Sequence, residues 1–441
     1  MTDSKSKALD NLKTLLPPNR WIVVLAGLAI NLILGVLYAW GVMGKALVNN
    51  WHWTMTDATL PMSVATACFA GMMVFAGRCQ DRFGPRHVAT AGGLLLGFGL
   101  IASAAAHSPG AMALTFGVGA GLGIGLAYSA TTPPAIKWFP PARKGFITGI
   151  VVSGVGLAAV YISPLTQYLL VRTTIPMTFA WLGMGALVLV PLLAQFLQNP
   201  PEPPLPAAAT AAGPVVSLGE SDWPEMLRTG SFYQLWLLMV LSASAGMMII
   251  SQAAMIAKEQ AHWQWGFVPI ATLAVFNTLG RLLSGVLSDR MGRTQTMMLA
   301  FLLQAANMLA FRRYEGPALV IFGSAFTGLC YGTIFTLMPA ATADFYGVHH
   351  LGVNYGLVFT AFGVAGLLGP LLGAQVHDHF GSYVHAFQIS AGMLAAGACL
   401  AMFTKPPQTR GKPILSKPAD WPANSLAQLK VKATATQAKA R

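Results

Sequence analysis

The chain alternates between long apolar stretches and short polar or basic segments. Twelve stretches of about twenty residues are nearly free of charge, and each is long enough to cross a ~30 Å hydrocarbon core as a helix. They cover residues 21–43, 58–77, 87–107, 112–132, 145–170, 177–197, 232–257, 267–288, 294–311, 317–341, 352–376 and 383–403. The pattern predicts an all-α membrane protein with twelve transmembrane helices.

One polar interval is much longer than the others. Between the sixth and seventh stretches the chain is rich in Pro and Ala and lacks hydrophobic periodicity, which is typical of a linker. We therefore predict a cytoplasmic N-terminal segment (1–20), an N-terminal six-helix half (21–198), a cytoplasmic linker (199–230), a C-terminal six-helix half (231–404) and a cytoplasmic tail (405–441).

Composition excludes a soluble globular protein. Hydrophobic residues make up 55% of the chain and charged residues 9%, whereas soluble domains carry roughly 25% charged residues. If both termini are cytoplasmic, 21 of the 27 basic residues fall on the cytoplasmic side, as the positive-inside rule requires. The net charge of +13 then reflects topology and attraction to anionic lipid. We expect no nucleic-acid partner, and a multi-pass location in a bacterial inner membrane is the simplest hypothesis.

An internal repeat links the two halves. Gly77-x-x-x-Asp81-Arg82-x-Gly84-x-Arg86 follows the second stretch, and Gly285-x-x-x-Asp289-Arg290-x-Gly292-Arg293 follows the eighth, 208 residues later. Glycines and a proline of the fifth stretch recur in the eleventh at nearly the same offset. Two six-helix halves in parallel repeat predict a binding site at their interface that can face either side in turn.

The repeated loop resembles the signature loop of the major facilitator superfamily, and the resemblance covers essentially the whole membrane portion. In that family the acidic and basic residues of the loop are thought to pair across the cytoplasmic ends and hold one conformation. The resemblance therefore implies a gating role for six residues, the alternative being that they only anchor the topology: Asp81, Arg82, Arg86, Asp289, Arg290 and Arg293.

Arg281 lies well inside the eighth stretch, where an arginine costs roughly 2.5–3.5 kcal/mol to insert. Its guanidinium stays protonated and has a planar fork of donors that suits a carboxylate. All fourteen Asp and Glu residues fall at stretch ends or in loops, so the simplest partner is an anionic substrate. The alternative is that Arg281 snorkels or pairs with a cytoplasmic acid.

Other candidate ligands surround this position. Asn277 precedes Arg281 by one helical turn and could bind the substrate or another helix. Six residues of other stretches could line a mostly apolar cavity, the alternative being ordinary packing: Tyr331, Phe335, Phe359, Phe362, Leu28 and Asn31. The histidines and the four cysteines are scattered or peripheral, so we expect no metal site, no cofactor and no catalytic residues.

The stretch from Asn277 to Arg290 is similar to the oxalate:formate antiporter branch and the related monocarboxylate transporters, both of which place a substrate arginine in the eighth span. The antiporters have a second cation, a lysine, where Phe362 stands here. One fixed charge favours a monoanion, because a second buried carboxylate would have no partner. We therefore hypothesise proton-coupled symport of a monocarboxylate such as lactate or pyruvate, by a functional monomer. Oxalate/formate exchange and a non-transporting sensor are the alternatives.

Overall fold

The computed structural model describes residues 20–200, 220–263 and 267–407. The predicted N-terminal segment, except Arg20, residues 201–219 of the linker and residues 408–441 of the tail lie outside the described residues. Within these three ranges every regular element is a helix. Most helices are longer than a hydrocarbon core requires.

Twelve long helices account for the membrane portion of the described chain. Eleven are long and apolar enough to cross a membrane, and the twelfth, α3, has 19 residues and begins with the polar turn that follows Gly84. The helices are α1 Arg20–Trp51, α2 Met55–Phe83, α3 Pro85–Ser103, α4 Pro109–Lys137, α5 Lys144–Arg172, α6 Ile175–Ala194, α7 Gly230–Ala261, α8 Phe267–Met291, α9 Arg293–Phe311, α10 Pro317–Tyr346, α11 Leu351–Phe380 and α12 Val384–Phe403. The prediction of twelve spans is confirmed.

Several helices extend beyond the apolar stretches that predicted them. α10 continues to Tyr346 where the apolar stretch ends at residue 341, and α7 reaches Ala261 where the stretch ends at residue 257. A helix satisfies its backbone groups internally, so it can continue through the polar membrane surface after the apolar run has ended. Hydropathy therefore marks the membrane-embedded part of each helix better than its ends.

The two halves repeat the same packing. α1 packs on α5, α2 on α4 and α3 on α6; in the second half α7 packs on α11, α8 on α10 and α9 on α12. Between the halves, α2 faces α11 and α5 faces α8. These two contacts between the halves border the region where the sequence predicts a site.

Glycines of equivalent position bring the inner helices together. A methyl group added to Gly125 of α4 would lie 2.9 Å from the carbonyl oxygen of Phe69 on α2. In the second half, a methyl group on Gly332 of α10 would meet the carbonyl oxygen of Asn277 on α8. Phe69 and Asn277 are therefore equivalent positions, 208 residues apart.

The last part of the predicted linker is folded against the second half. A short helix, Trp223–Leu227, follows Glu220, whose carboxylate accepts the backbone N–H groups of Val348 at 3.3 Å and His349 at 3.0 Å. The N–H of Ser221 donates to the carbonyl of Tyr346 at 3.0 Å. These bonds fix the chain before α7 to the turn between α10 and α11.

Candidate functional site

Arg281 lies in the middle of the bundle, on α8, with 3% of its surface exposed. Its Nε–H donates to Oδ1 of Asn277 at 3.1 Å, and its Nη1 donates to the carbonyl oxygen of Val152 on α5. None of the ion pairs among the described residues includes Arg281. The guanidinium is thus held by two neutral acceptors, and no carboxylate of the described residues pairs with it, contrary to the alternative of a pairing with a cytoplasmic acid there.

Aromatic side chains of the second half cover the guanidinium. Its central carbon lies 4.8 Å from the ring centroid of Phe335 on α10, within the range of a cation–π contact. Phe335 contacts Tyr331 at 4.9 Å and Phe362 of α11 at 5.5 Å between centroids, and Phe362 lies 5.2 Å from Phe359. The structure therefore brings together four of the predicted lining residues with Arg281.

The first half completes this aromatic group with residues that the sequence analysis did not identify. Phe69 of α2 lies 5.2 Å from Phe359 and 5.5 Å from Tyr128 of α4. Tyr38 of α1 and Tyr128 also lie close enough to the Arg281 guanidinium to interact with its charge, as do Tyr331 and Tyr355 of the second half. The internal repeat is the signal that could have found two of them, because Phe69 is equivalent to Asn277 and Tyr128 to Phe335.

Asn277 and Asn31 have structural partners. The side chain of Asn277 accepts from Arg281 on its own helix and packs against Gly332, so it orients the guanidinium. Asn31 is fully buried and donates to the carbonyl of Val151 at 2.8 Å and to the hydroxyl of Thr131 at 3.3 Å. The structure thus places Asn31 among α1, α4 and α5.

Leu28, one turn before Asn31, is half-buried. Its carbonyl oxygen is in close contact with Gly154 of α5. The structure therefore places Leu28 at the contact between α1 and α5, and no described contact joins it to the aromatic group around Arg281.

Each of the two motif aspartates binds backbone N–H groups at the start of a helix in the opposite half. Asp81 accepts the N–H groups of Gly352 and Val353 at the start of α11, at 3.2 and 3.0 Å. Asp289 accepts those at the start of α5, residues 145 and 146, at 2.9 and 2.8 Å. Each carboxylate thus caps a helix N-terminus, where a negative charge is stabilised. We call this end of the bundle the motif end; there the halves are joined.

Among the residues that the structure describes, one ion pair also crosses the halves at the motif end, and it does not involve a motif arginine. Lys144 of α5 pairs with Asp344 of α10 at 3.0 Å. Arg293 pairs with Asp289 at 2.6 Å and with Asp344 at 2.8 Å, all within the second half.

The other three motif arginines do not take part in these ion pairs. Arg82 and Arg290 are exposed and Arg86 is half-buried. None of the three forms an ion pair within the described ranges. The expectation that aspartates and arginines of the loops pair across the halves is therefore not met by these arginines, because the aspartates bind backbone amides instead.

The arrangement is suited to a small anion with an apolar body. A single buried cation offers charge-assisted hydrogen bonds, while aromatic rings from both halves remove water and restrict size. Across the described residues, no group of three or more His, Cys, Asp or Glu side chains is placed to hold a metal ion. Binding at this interface would contact both halves at once.

Comparisons with known proteins agree with this architecture. The family model described as Major Facilitator Superfamily matches residues 21–311 and 269–436. The oxalate:formate antiporter of Oxalobacter formigenes is 26% identical over 90% of this chain and 93% of its own. Monocarboxylate transporter 13 of Bos taurus is 25% identical over 86% of this chain and 87% of its own.

A solved structure has the same fold at low identity. The fucose:proton symporter of Escherichia coli matches with a TM-score of 0.66 and 14% identity, over 87% of this chain and 98% of its own. The family match, the twelve helices and the two equivalent halves lead to one conclusion: the chain belongs to the major facilitator superfamily, whose members are membrane transporters and not enzymes.

Proposed function

We propose that this transporter carries small monocarboxylates such as lactate or pyruvate together with a proton, with Arg281 binding the carboxylate. The observation that carries the proposal is a buried guanidinium with no carboxylate partner among the described residues. A charge at this depth is costly unless something offsets it, and a substrate carboxylate offsets it only while it is bound.

The number of cations favours a monoanion. Phe362 stands where the antiporters have a lysine, and its ring packs against Phe335 beside the guanidinium. A dicarboxylate would place its second charge among aromatic rings, which is unfavourable by several kcal/mol. Two relatives are named as a monocarboxylate transporter and an oxalate:formate antiporter, which supports a carboxylate substrate.

The motif end is the cytoplasmic end under this proposal, with both termini in the cytoplasm of a bacterial cell and one chain acting as a monomer. The closed motif end then corresponds to a state in which substrate enters from outside. Because the acid anion and the proton together carry no net charge, the membrane potential does not affect their combined movement. A net charge that crosses the membrane would gain or lose ~2.3 kcal/mol at 100 mV.

Uptake into proteoliposomes tests the proposal. We expect labelled lactate or pyruvate to accumulate with an inward proton gradient, independently of an imposed potential, and Arg281→Met to lower kcat/KM by roughly 30-fold or more. Rapid oxalate/formate exchange without a gradient would instead favour the antiporter alternative. Uptake that is indifferent to Arg281 would contradict the assigned anchor.

A further inference from the structure

Two contacts between the halves, α5 with α8 and α2 with α11, are built from equivalent glycines. On α5, methyl groups added to Gly145, Gly149 and Gly156 would lie 2.5–2.7 Å from oxygen atoms of α8. The atom facing Gly149 is the backbone carbonyl oxygen of Arg281. We call this contact the α5–α8 seam; it runs from the motif end to the depth of the candidate site.

The second contact, the α2–α11 seam, repeats this geometry. Gly352, Gly356 and Gly363 of α11 each follow their α5 counterparts by 207 residues, and each faces α2. The backbone oxygen that faces Gly356 belongs to Met73, as that of Arg281 faces Gly149. Met73 is therefore the counterpart of Arg281, 208 residues earlier in the chain.

The two seams differ in one polar contact. Arg281 crosses the α5–α8 seam with its side chain and donates to the carbonyl of Val152. Met73 is fully buried and has no donor with which to make such a bond across the α2–α11 seam. At the depth of the site, the first seam is therefore held by a charge-assisted hydrogen bond, whereas the described residues of the second seam contact one another there through apolar packing alone.

We propose that Arg281 is also a tether that keeps the α5–α8 seam closed in the empty transporter, and that the substrate releases it. This inference rests on the proposed function, because the releasing group is the substrate carboxylate. A carboxylate oxygen is a stronger acceptor for a guanidinium than a neutral peptide carbonyl. When the carboxylate binds, it competes with Val152 for Nη1, and the seam loses its polar contact at the depth of the site. Substrate binding is thereby coupled to opening at one seam and not at the other.

Matched cysteine reporters on the two seams test the tether. Ser284 of α8 and Ala76 of α2 are equivalent positions, and both are buried in the closed protein. Each is replaced by cysteine (Ser284→Cys, Ala76→Cys) in a transport-competent background in which the four native cysteines are serine. The rate of labelling by a water-soluble thiol reagent then reports how often each seam opens.

The decisive variant is Arg281→Met, which gives the α5–α8 seam the side chain that the α2–α11 seam already accommodates. Without any substrate, we expect it to raise labelling at position 284 about tenfold, the factor for one charge-assisted hydrogen bond, and labelling at position 76 by less than twofold. Saturating L-lactate should raise labelling at position 284 in the protein that retains Arg281. Met73→Leu is the control, with no selective effect at position 284.

The outcomes separate the tether from the proposed function. If Arg281→Met abolishes lactate uptake but leaves labelling of the empty protein unchanged at position 284, the tether is wrong and the anchor stands. If uptake survives and labelling rises, Arg281 holds the seam without binding substrate, which overturns both the anchor and substrate-controlled release. An equal rise at both positions would indicate general loosening and would also contradict a tether confined to one seam.

Discussion

Nε of Arg281 lies 3.1 Å from Oδ1 of Asn277, one turn earlier on α8. This bond sets the direction of the guanidinium. Asn277→Leu should therefore raise the KM for substrate about tenfold or more, since hydrogen bonds to charged groups contribute about 1.5–3 kcal/mol. The measurement is initial uptake against substrate concentration. A KM within twofold of the unmodified protein would contradict the orienting role.

Asn277→Asp tests how a negative charge beside Arg281 affects binding, without a change in side-chain size. The substitution keeps the acceptor for Nε but adds a carboxylate that neutralises Arg281, so anion affinity should fall more than in Asn277→Leu. Affinity should recover partly at low pH, because protonation of the new carboxyl restores the neutral neighbour. A pH profile of KM for both variants makes the comparison, and parallel profiles would indicate that Arg281 charge does not govern binding.

Asn31 provides a contrast with Asn277. Its two buried hydrogen bonds join α1 to α4 and α5, so Asn31→Leu should lower stability by about 1–3 kcal/mol. We expect a lower melting temperature in detergent with KM changed less than about threefold. A large rise in KM at unchanged stability would instead return Asn31 to the substrate-binding residues that the sequence predicts.

Under the proposed function, we expect Phe362 to limit the site to one cation. Phe362→Lys places a second cation next to Phe335, and we expect it to favour oxalate over lactate by about tenfold or more relative to the unmodified protein. Competition between the two acids for uptake measures the shift. Phe362→Leu is the matched control, which removes the ring without adding charge. A similar preference in both variants would show that the ring and not the charge excludes dicarboxylates.

Lys144 and Asp344 form the ion pair that crosses the halves at the motif end, at 3.0 Å. The pair is partly exposed, so Lys144→Met should increase opening of that end only about two- to fivefold. Thiol labelling at position 284 provides the readout. Arg290→Met is the control because Arg290 is exposed and forms no ion pair in the described ranges. Equal effects of both substitutions would mean that only net charge matters.

The sequence by itself determined the helices, the repeat and the position of the buried charge. Twelve continuously apolar stretches of about twenty residues indicate helices, because a helix satisfies its backbone groups within the segment and a barrel strand is shorter and alternates in polarity. The 208-residue offset of the repeat is enough to identify Met73 as the position equivalent to Arg281. Arg281 itself stood out because a charge at that depth is costly in any arrangement of the helices.

Only the tertiary structure decided what these residues contact. Arg281 donates to a peptide carbonyl, and Asp289 accepts from two peptide N–H groups. Backbone groups have no signature in sequence, since every residue supplies them. Phe69 and Tyr128 join the aromatic group from helices far away in the chain. Apolar residues at helical spacing look alike whether they face lipid, a neighbouring helix or a cavity, and only the packing of the two halves distinguishes these surroundings.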